Sequence, residues 1–259
     1  MSLVQSAATS INDFPNEILS HILSVLPIKD AFRTSFLLKR WLPLYHSLPD
    51  LHFDDDGVNN AEDWIHFRQM LDAIMLSPRS QDLTLKSFHL KCRRSNFWET
   101  EADCFHKWVE AAKRRCIKDL RMTSILLNIP LASTIFCCET LVVLNLIDLR
   151  VATMFHCYVH LPSLKILNLC LIHIQFEDME DLMKLLSGCP MLEDLNIGHV
   201  EATTGVTPGG YFKPLPNLIK ANIRQFEVPF RVVYNVHFLC VFGVCYFYHQ
   251  YYMSLILIH

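Results

Sequence analysis

The chain has 259 residues, 51% of them hydrophobic and 19% charged, with a net charge of −3. That length holds one large domain or two modest ones around a sizeable core, and so hydrophobic a chain is not globally disordered. Phosphate binding needs a concentrated basic face, so no nucleic-acid partner is expected. Lys113-Arg114-Arg115 is the longest basic cluster; it lies between Glu110 and Asp119 and reads as a solvated helix face. The ten cysteines form no Cys-x-x-Cys pair and no Cys/His set with zinc-finger spacing. Met1 to Ser10 lacks a basic segment followed by an apolar run, so no secretory signal is expected, and the thiols should stay reduced in the cytosol or nucleus. Most cysteines are then expected as small core residues.

The first helix is predicted after Asn12-Asp13, with Phe14-Pro15 and Glu17 supplying an early proline and an acid. Ile18, Leu19, Ile22, Leu23 and Leu26 recur at helical spacing, and Pro27 ends the helix. A second helix is predicted from Ile28, carrying Ala31, Phe32, Ser35, Leu38 and Leu42 on one face. Lys39 and Arg40 suit the dipole of its last turn, and Pro43 and Pro49 break the chain after it. Ala61 to Leu76 is predicted as an amphipathic helix with Trp64, Phe67, Leu71, Ile74 and Met75 inward, stopped by Ser77-Pro78. Glu101 to Arg115 is another, burying Phe105, Trp108, Val109 and Ala112.

Between Leu83 and Phe226 the chain repeats the pattern apolar-x-x-apolar-x-apolar-x-x-apolar. Copies fall at Ile117-Leu120-Met122-Ile125, Leu141-Leu144-Leu146-Leu149, Leu164-Leu167-Leu169-Ile172, Leu192-Leu195-Ile197-Val200 and Leu218-Ala221-Ile223-Phe226, with a partial copy at Leu83, Leu85 and Phe88. Successive starts are roughly 23–28 residues apart, within the leucine-rich-repeat range of about 20–29. Each unit is a strand and a return segment that bury apolar faces only by stacking, which gives a parallel sheet. Phe176 to Ser187 is predicted as one helical return, ended by Gly188. Side chains alternate across a strand, so inward leucines leave a middle column of Arg121, Asn145, Asn168, Asn196 and Asn222 on the open face. An amide ladder that stabilises stacking is the preferred reading of that column over recognition of a ligand. The columns beside it are mixed: Asp119, Val143, Ile166, Asp194 and Lys220 on one side, Thr123, Ile147, Cys170, Gly198 and Arg224 on the other.

Asp13 to Pro27, followed by Ile28 to Trp41, resembles an F-box. Leu44 to Asp56, Ser87 to Cys92 and Leu186 to Leu195 resemble the plant F-box/leucine-rich-repeat proteins of the FBD-associated type. The resemblance implies an α/β fold class: a small all-α N-terminal F-box over 11–53, a linker helix over 54–79, a leucine-rich-repeat solenoid with a parallel sheet over 80–230, and an apolar tail over 231–259. It implies a substrate receptor of a cullin–RING ubiquitin ligase that performs no catalysis and uses no cofactor or metal. A Skp-type adaptor would be held by Phe14, Pro15, Ile18, Leu19, Ile22, Leu23, Leu26, Pro27 and Trp41, and a target protein of unknown identity by the repeats. The family usually has Leu where Phe14 stands and a small polar residue where Leu38 stands. The other readings are a repeat scaffold outside any ligase and a shortened, non-functional receptor.

His156 and His160, with Cys157 between, lack a third ligand for zinc. Gly209-Gly210 is followed by Tyr211 instead of a phosphate-loop Lys and reads as a turn. Val232 to Ile258 contains no Asp, Glu, Lys or Arg. Truncated or aberrant sequence ranks first for it, a poor last repeat (Leu239, Phe242, Val244, Phe247) second and a membrane anchor third. On that ranking the full chain is expected to be poorly soluble, and a chain ending near Phe230 should behave no worse.

Overall fold

The computed structural model describes residues 11–37, 40–92, 102–124, 130–131, 133–151, 158–176, 179–202, 215–224, 230–233, 235–242 and 254–258. Three short helices open the chain: α1 (Asn16–Val25), α2 (Ile28–Leu37) and α3 (Trp41–His46). Pro15 takes the position before α1 with no side-chain cap, and Asn12-Asp13 fall in a separate 3-10 turn, Ile11–Asp13. Leu26 is extended, as the residue before a proline must be, and this ends α1. The second helix is shorter than its periodicity suggests. Its described residues end at Leu37, Leu38 and Lys39 lie outside the described residues, and Arg40 stands before a third helix that contains Leu42 and Pro43. Pro43 does not break the chain, because a proline in the first helical turn gives up no hydrogen bond.

Strand β1 (Asp50–Asp54) comes next, then α4 (Ala61–Met75), α5 (Pro78–Gln81), β2 (Ser87–Cys92), α6 (Ala102–Arg114) and β3 (Asp119–Ser124). Asn60 caps α4, its side chain accepting the Asp63 amide at 2.9 Å, while Asp63 Oδ2 accepts the Asn59 amide at 3.0 Å. This reciprocal pairing fixes where the helix begins. Trp64, Phe67, Leu71, Ile74 and Met75 are all buried, joined by Met70. Each such side chain contributes about 1.5–3 kcal/mol on burial. On α6, Phe105, Trp108, Val109 and Ala112 are buried, and Trp108 Nε1 donates to Asp72 Oδ1 at 2.8 Å, tying α6 to α4.

The remaining elements are β4 (Pro130–Leu131), β5 (Val143–Ile147), β6 (Arg150–Val151), β7 (Ile166–Phe176), α7 (Met179–Ser187), β8 (Asp194–Ala202), β9 (Lys220–Arg224), α8 (Phe230–Val233), β10 (Phe238–Phe242) and β11 (Ser254–Ile258). The sheet runs β1-β2-β3-β5-β7-β8-β9-β10-β11, parallel until β11, which pairs antiparallel with β10. β1 lies inside residues read from sequence as the end of the helical motif, yet it is the first rung of the sheet. Leu120, Leu144, Leu167 and Leu195 line up across successive strands, as do Met122, Leu146, Leu169 and Ile197. All eight are buried to within 1% exposure, so one dry column runs through the solenoid. Ile125 and Phe226 lie outside the described residues, and so do His156, Cys157 and Gly209-Gly210.

Gly188 ends α7 without a left-handed turn. A Cβ there would run into the Val159 side chain, with Val159 Cβ at 2.9 Å, so close approach of the neighbouring coil is what requires glycine. Three of the eight described cysteines, Cys92, Cys138 and Cys189, are buried. Cys116 and Cys137 are exposed, Cys116 in the turn just after α6 at φ 56° and Cys137 in an isolated parallel bridge with His160. Beyond residue 230 the chain still packs: Val232, Val233 and Val236 are buried, and Asn235 Nδ2 donates to the Leu215 carbonyl at 3.2 Å. Among the described residues no helix is long and apolar enough to cross a membrane.

Candidate functional site

The apolar stripe of α1 divides into two faces. Leu19 and Leu23 are buried, and Trp41 joins them from the start of α3. These three hold the helices together. Phe14 is 41% exposed, Ile18 46% and Val25 68%, while Ile22 and Leu26 are half-buried and Pro15 and Pro27 are exposed. Together with Ile11 they leave a ridge of large apolar side chains on a helix that buries its other side. An apolar surface so concentrated at one end of a folded chain marks an interaction site. Val25 belongs to this ridge: it lies seven residues beyond Ile18, on the same side of the helix, although the stripe read from the sequence does not include it.

Arg40 shapes the ridge. Its Nε and Nη2 donate to Asn16 Oδ1 at 3.1 and 2.8 Å, and Nη2 also donates to the Phe14 carbonyl at 2.9 Å. Sequence reasoning gave Arg40 to the dipole of α2. The structure uses it to fasten the beginning of α1 to the beginning of α3, which fixes the backbone that carries Phe14.

The second candidate surface is the open face of the sheet. Its middle column is in register from end to end: His52, His89, Arg121, Asn145, Asn168, Asn196, Asn222 and Cys240. The four asparagines stack at matching positions, but among the described residues they make no amide-to-amide hydrogen bond. Asn168 Oδ1 accepts the Cys170 thiol at 3.0 Å, and Asn145 Oδ1 and Asn222 Oδ1 have no partner among those residues. Registry alone therefore does not produce the expected ladder. The apolar part of this face is Val143, Ile147 and Ile166, the last 40% exposed, and Phe238 at the far end is 52% exposed.

The first three strands carry a polar network that the partial first repeat conceals in the sequence. The His52 and His89 rings stack at 4.2 Å and 5°. Ser87 Oγ donates to Asp50 Oδ1 at 2.6 Å, and Lys91 Nζ pairs with Asp54 Oδ2 at 2.7 Å. Arg121 Nε and Nη2 grip the Asp119 carboxylate, each at 2.9 Å, and His89 Nε2 lies 3.3 Å from its Oδ1. Burial raises the Asp119 pKa, but the His89 ring and the Arg121 guanidinium outweigh it and hold the carboxyl at about 2. Burial lowers the pKa of His52, and the neighbouring His89 lowers it further.

One group of three carboxylates exists among the described residues, Asp54, Asp55 and Asp56, with oxygens within 4.8 Å of one another. Asp54 is already engaged by Lys91 and by the Asp56 amide at 2.9 Å, so its charge is met within the chain. The buried thiol of Cys189 is pushed up to about 12 by desolvation, which leaves it unreactive.

Comparison with known proteins decides the family. A family model described as the LRR repeats of FBD-associated F-box protein At5g56370 matches residues 105–206. The F-box/LRR-repeat protein At3g60040 of Arabidopsis thaliana is 32% identical over 205 residues, covering 73% of this chain and 45% of that protein. The F-box/FBD/LRR-repeat protein At1g78750 of the same plant is 33% identical over 196 residues, with 73% and 42% covered. This chain belongs to the F-box/leucine-rich-repeat family. A third Arabidopsis member, At3g58980, is 32% identical over 234 residues and aligns with 85% of this chain. The chain spans less than half the length of these relatives (45%, 42% and 37%). The residues that match the repeat model, 105–206, run from α6 through β8 of the parallel sheet.

Proposed function

We propose that this F-box/leucine-rich-repeat protein is the substrate receptor of a cullin–RING ubiquitin ligase, working in the nucleus or cytoplasm. The ridge of Phe14, Ile18, Ile22, Val25 and Leu26, edged by Pro15 and Pro27, would seat a Skp-type adaptor, and the open face of the repeats would hold the protein to be modified. The observation that carries this reading is the division of α1: one face holds the motif together, and the other presents large apolar groups to solvent. A motif of three short helices buries too little surface to sustain such exposure without a partner.

The part is mechanical. The helices pack into the same continuous core as the first strands, through Leu51, Phe53, Trp64 and Phe67. The Phe53 ring meets Phe67 at 6.5 Å and Phe88 at 5.9 Å. A target on the sheet is thereby held at a fixed distance from the adaptor, so that binding supplies proximity and orientation while chemistry resides in other subunits. Leu19, Leu23 and Trp41 serve the adaptor only by shaping the ridge.

The test is co-purification of the full chain with a Skp-type adaptor. Ile18→Asp, at an exposed position, should remove at least about nine-tenths of the recovered adaptor, since a charge desolvated in an apolar contact costs several kcal/mol. The unfolding midpoint should stay close to that of the unsubstituted chain. Adaptor recovered in full with Ile18→Asp would contradict the assignment and favour a repeat scaffold working outside a ligase.

A further inference from the structure

Between the F-box and the linker helix lies a pocket of about 340 Å³ that the adaptor and target surfaces do not use. Its floor is apolar. Phe32 of α2, Val58 of the loop after β1, and Phe67 and Met70 of α4 line it. Val58 and Phe67 are each 4% exposed and Met70 6%, so the floor is part of the core and does not depend on a ligand for its shape. Its mouth is cationic. Lys29 and Arg33 stand one turn apart on α2, and His66 faces them from α4.

Lys29 is the informative residue. Its ammonium lies 5.7 Å from the centroid of the Phe67 ring, held over the aromatic floor. Gly57 leaves room for it: a Cβ at that position would sit 3.0 Å from Lys29 Nζ. Lys29 has no carboxylate partner among the described residues, whereas Arg33 pairs with Asp30 at 3.4 Å on the surface. The acid in the pocket lining, Asp63, is committed: its Oδ2 accepts the Asn59 amide, and the residue sits in the first turn of α4, where the helix dipole favours its charge. The mouth thus offers one cation without an acid partner among the described residues, a second at the rim, and an aromatic surface directly beneath.

A concave site of this size, with an apolar floor and a few convergent polar groups, is the usual architecture of a small-molecule site. We infer that the pocket between α2 and α4 binds a small organic anion, a carboxylate on a flat apolar body. The apolar body would lie on Phe32, Val58, Phe67 and Met70, and the carboxylate would pair with Lys29, with Arg33 adding long-range attraction. Phosphate esters fit less well, because their larger charge calls for several donors and the pocket offers a single ammonium over its floor.

The probe is 1-naphthoate, with 1-naphthamide as its neutral counterpart, titrated into the full chain and followed by ligand-observed NMR. Naphthoate should bind about tenfold more tightly than naphthamide, the usual scale of one charge-assisted contact. Lys29→Met keeps the aliphatic stem and should remove that preference while leaving naphthamide binding unchanged. Lys29→Gln serves as a second variant in case the first alters packing against Phe67. Equal affinities for acid and amide in the unsubstituted chain, no saturable binding of either at millimolar concentration, or an acid preference that survives both substitutions would each overturn the inference. None of these readings involves the adaptor, so they stand apart from the test of the receptor assignment.

Discussion

Asp119 is the side chain whose environment reports most clearly on the open face of the sheet. With a folded pKa near 2 against an ordinary value of 3.8, its ionised form is favoured by the native state. The sign follows from linkage: a depressed carboxyl contributes stability that is complete above its unfolded pKa and disappears as pH falls through its folded pKa. The contribution is about 2 kcal/mol at neutral pH, because each unit of pKa is worth about 1.4 kcal/mol. His52 acts in the same direction at higher pH. Its folded pKa is below 6.5, so its share of stability is complete above 6.5 and falls away as acid forces the ring to charge. Urea unfolding of the chain should therefore show stability declining in two stages, first below about pH 6.5 and then between about pH 4 and 2. Asp119→Asn should flatten the acid stage and leave the first. Arg115 offers a second test at this scale. It is 2% exposed, Nε donates to the Leu83 carbonyl at 3.0 Å, and Nη1 and Nη2 have no partner among the described residues. Burial lowers its pKa to about 10. Replacing a buried charge by an apolar chain of similar length is often neutral or stabilising, so Arg115→Met should stay within about 1 kcal/mol of the native stability or exceed it. A loss of about 3 kcal/mol would show that the guanidinium holds an essential contact.

At the scale of elements, the cap of α4 and the end of α7 are each fixed by single residues. Asn60→Ala removes the acceptor for the Asp63 amide and should cost about 1 kcal/mol in thermal or urea unfolding. Gly188→Ala should cost at least as much, because the added Cβ meets Val159, although the backbone at this position is one that alanine can adopt. Much of this level was legible in the sequence. The limits of α4 and α6 follow from apolar spacing and their flanking residues, and the repeats locate the strands to within a residue or two because buried leucines recur at fixed intervals. The break between α2 and α3 was not legible. Periodicity carries straight through Leu42, yet a separate helix begins at Trp41, just after Arg40, whose guanidinium makes tertiary contacts with Asn16 and the Phe14 carbonyl. β1 was hidden for a similar reason: Asp50-Leu51-His52-Phe53-Asp54 alternates as a strand, but no preceding repeat marks it as part of the series. The apolar ridge of α1 was half legible. Helical spacing gives a stripe and cannot say which members face inward, so Leu19 and Leu23 are indistinguishable from Ile18 until α3 is packed against α1.

For the whole molecule, the continuous core from Leu19 to Val241 means that F-box and repeats should unfold as one unit. A solenoid is stabilised by each neighbour in turn, so its ends matter as much as its middle. The apolar composition beyond residue 231 suggested chain that could be removed at no cost. The structure instead packs Val232, Val233 and Val236 into the core and adds β10 in register with β9. A chain ending at Phe230 should accordingly lose stability and become more prone to aggregate, measured by its unfolding midpoint and by light scattering; an unchanged midpoint would show that the terminal strands contribute nothing. The most direct test of the central claim is a titration of the purified full chain with a purified Skp-type adaptor by isothermal calorimetry. Saturable one-to-one binding is expected, weakened at least about tenfold by Ile18→Asp and by Val25→Asp, in line with a buried apolar contact converted to a desolvated charge. Failure of the unsubstituted chain to bind, or equal affinity for all three proteins, would contradict the assignment of the α1 ridge as the adaptor site.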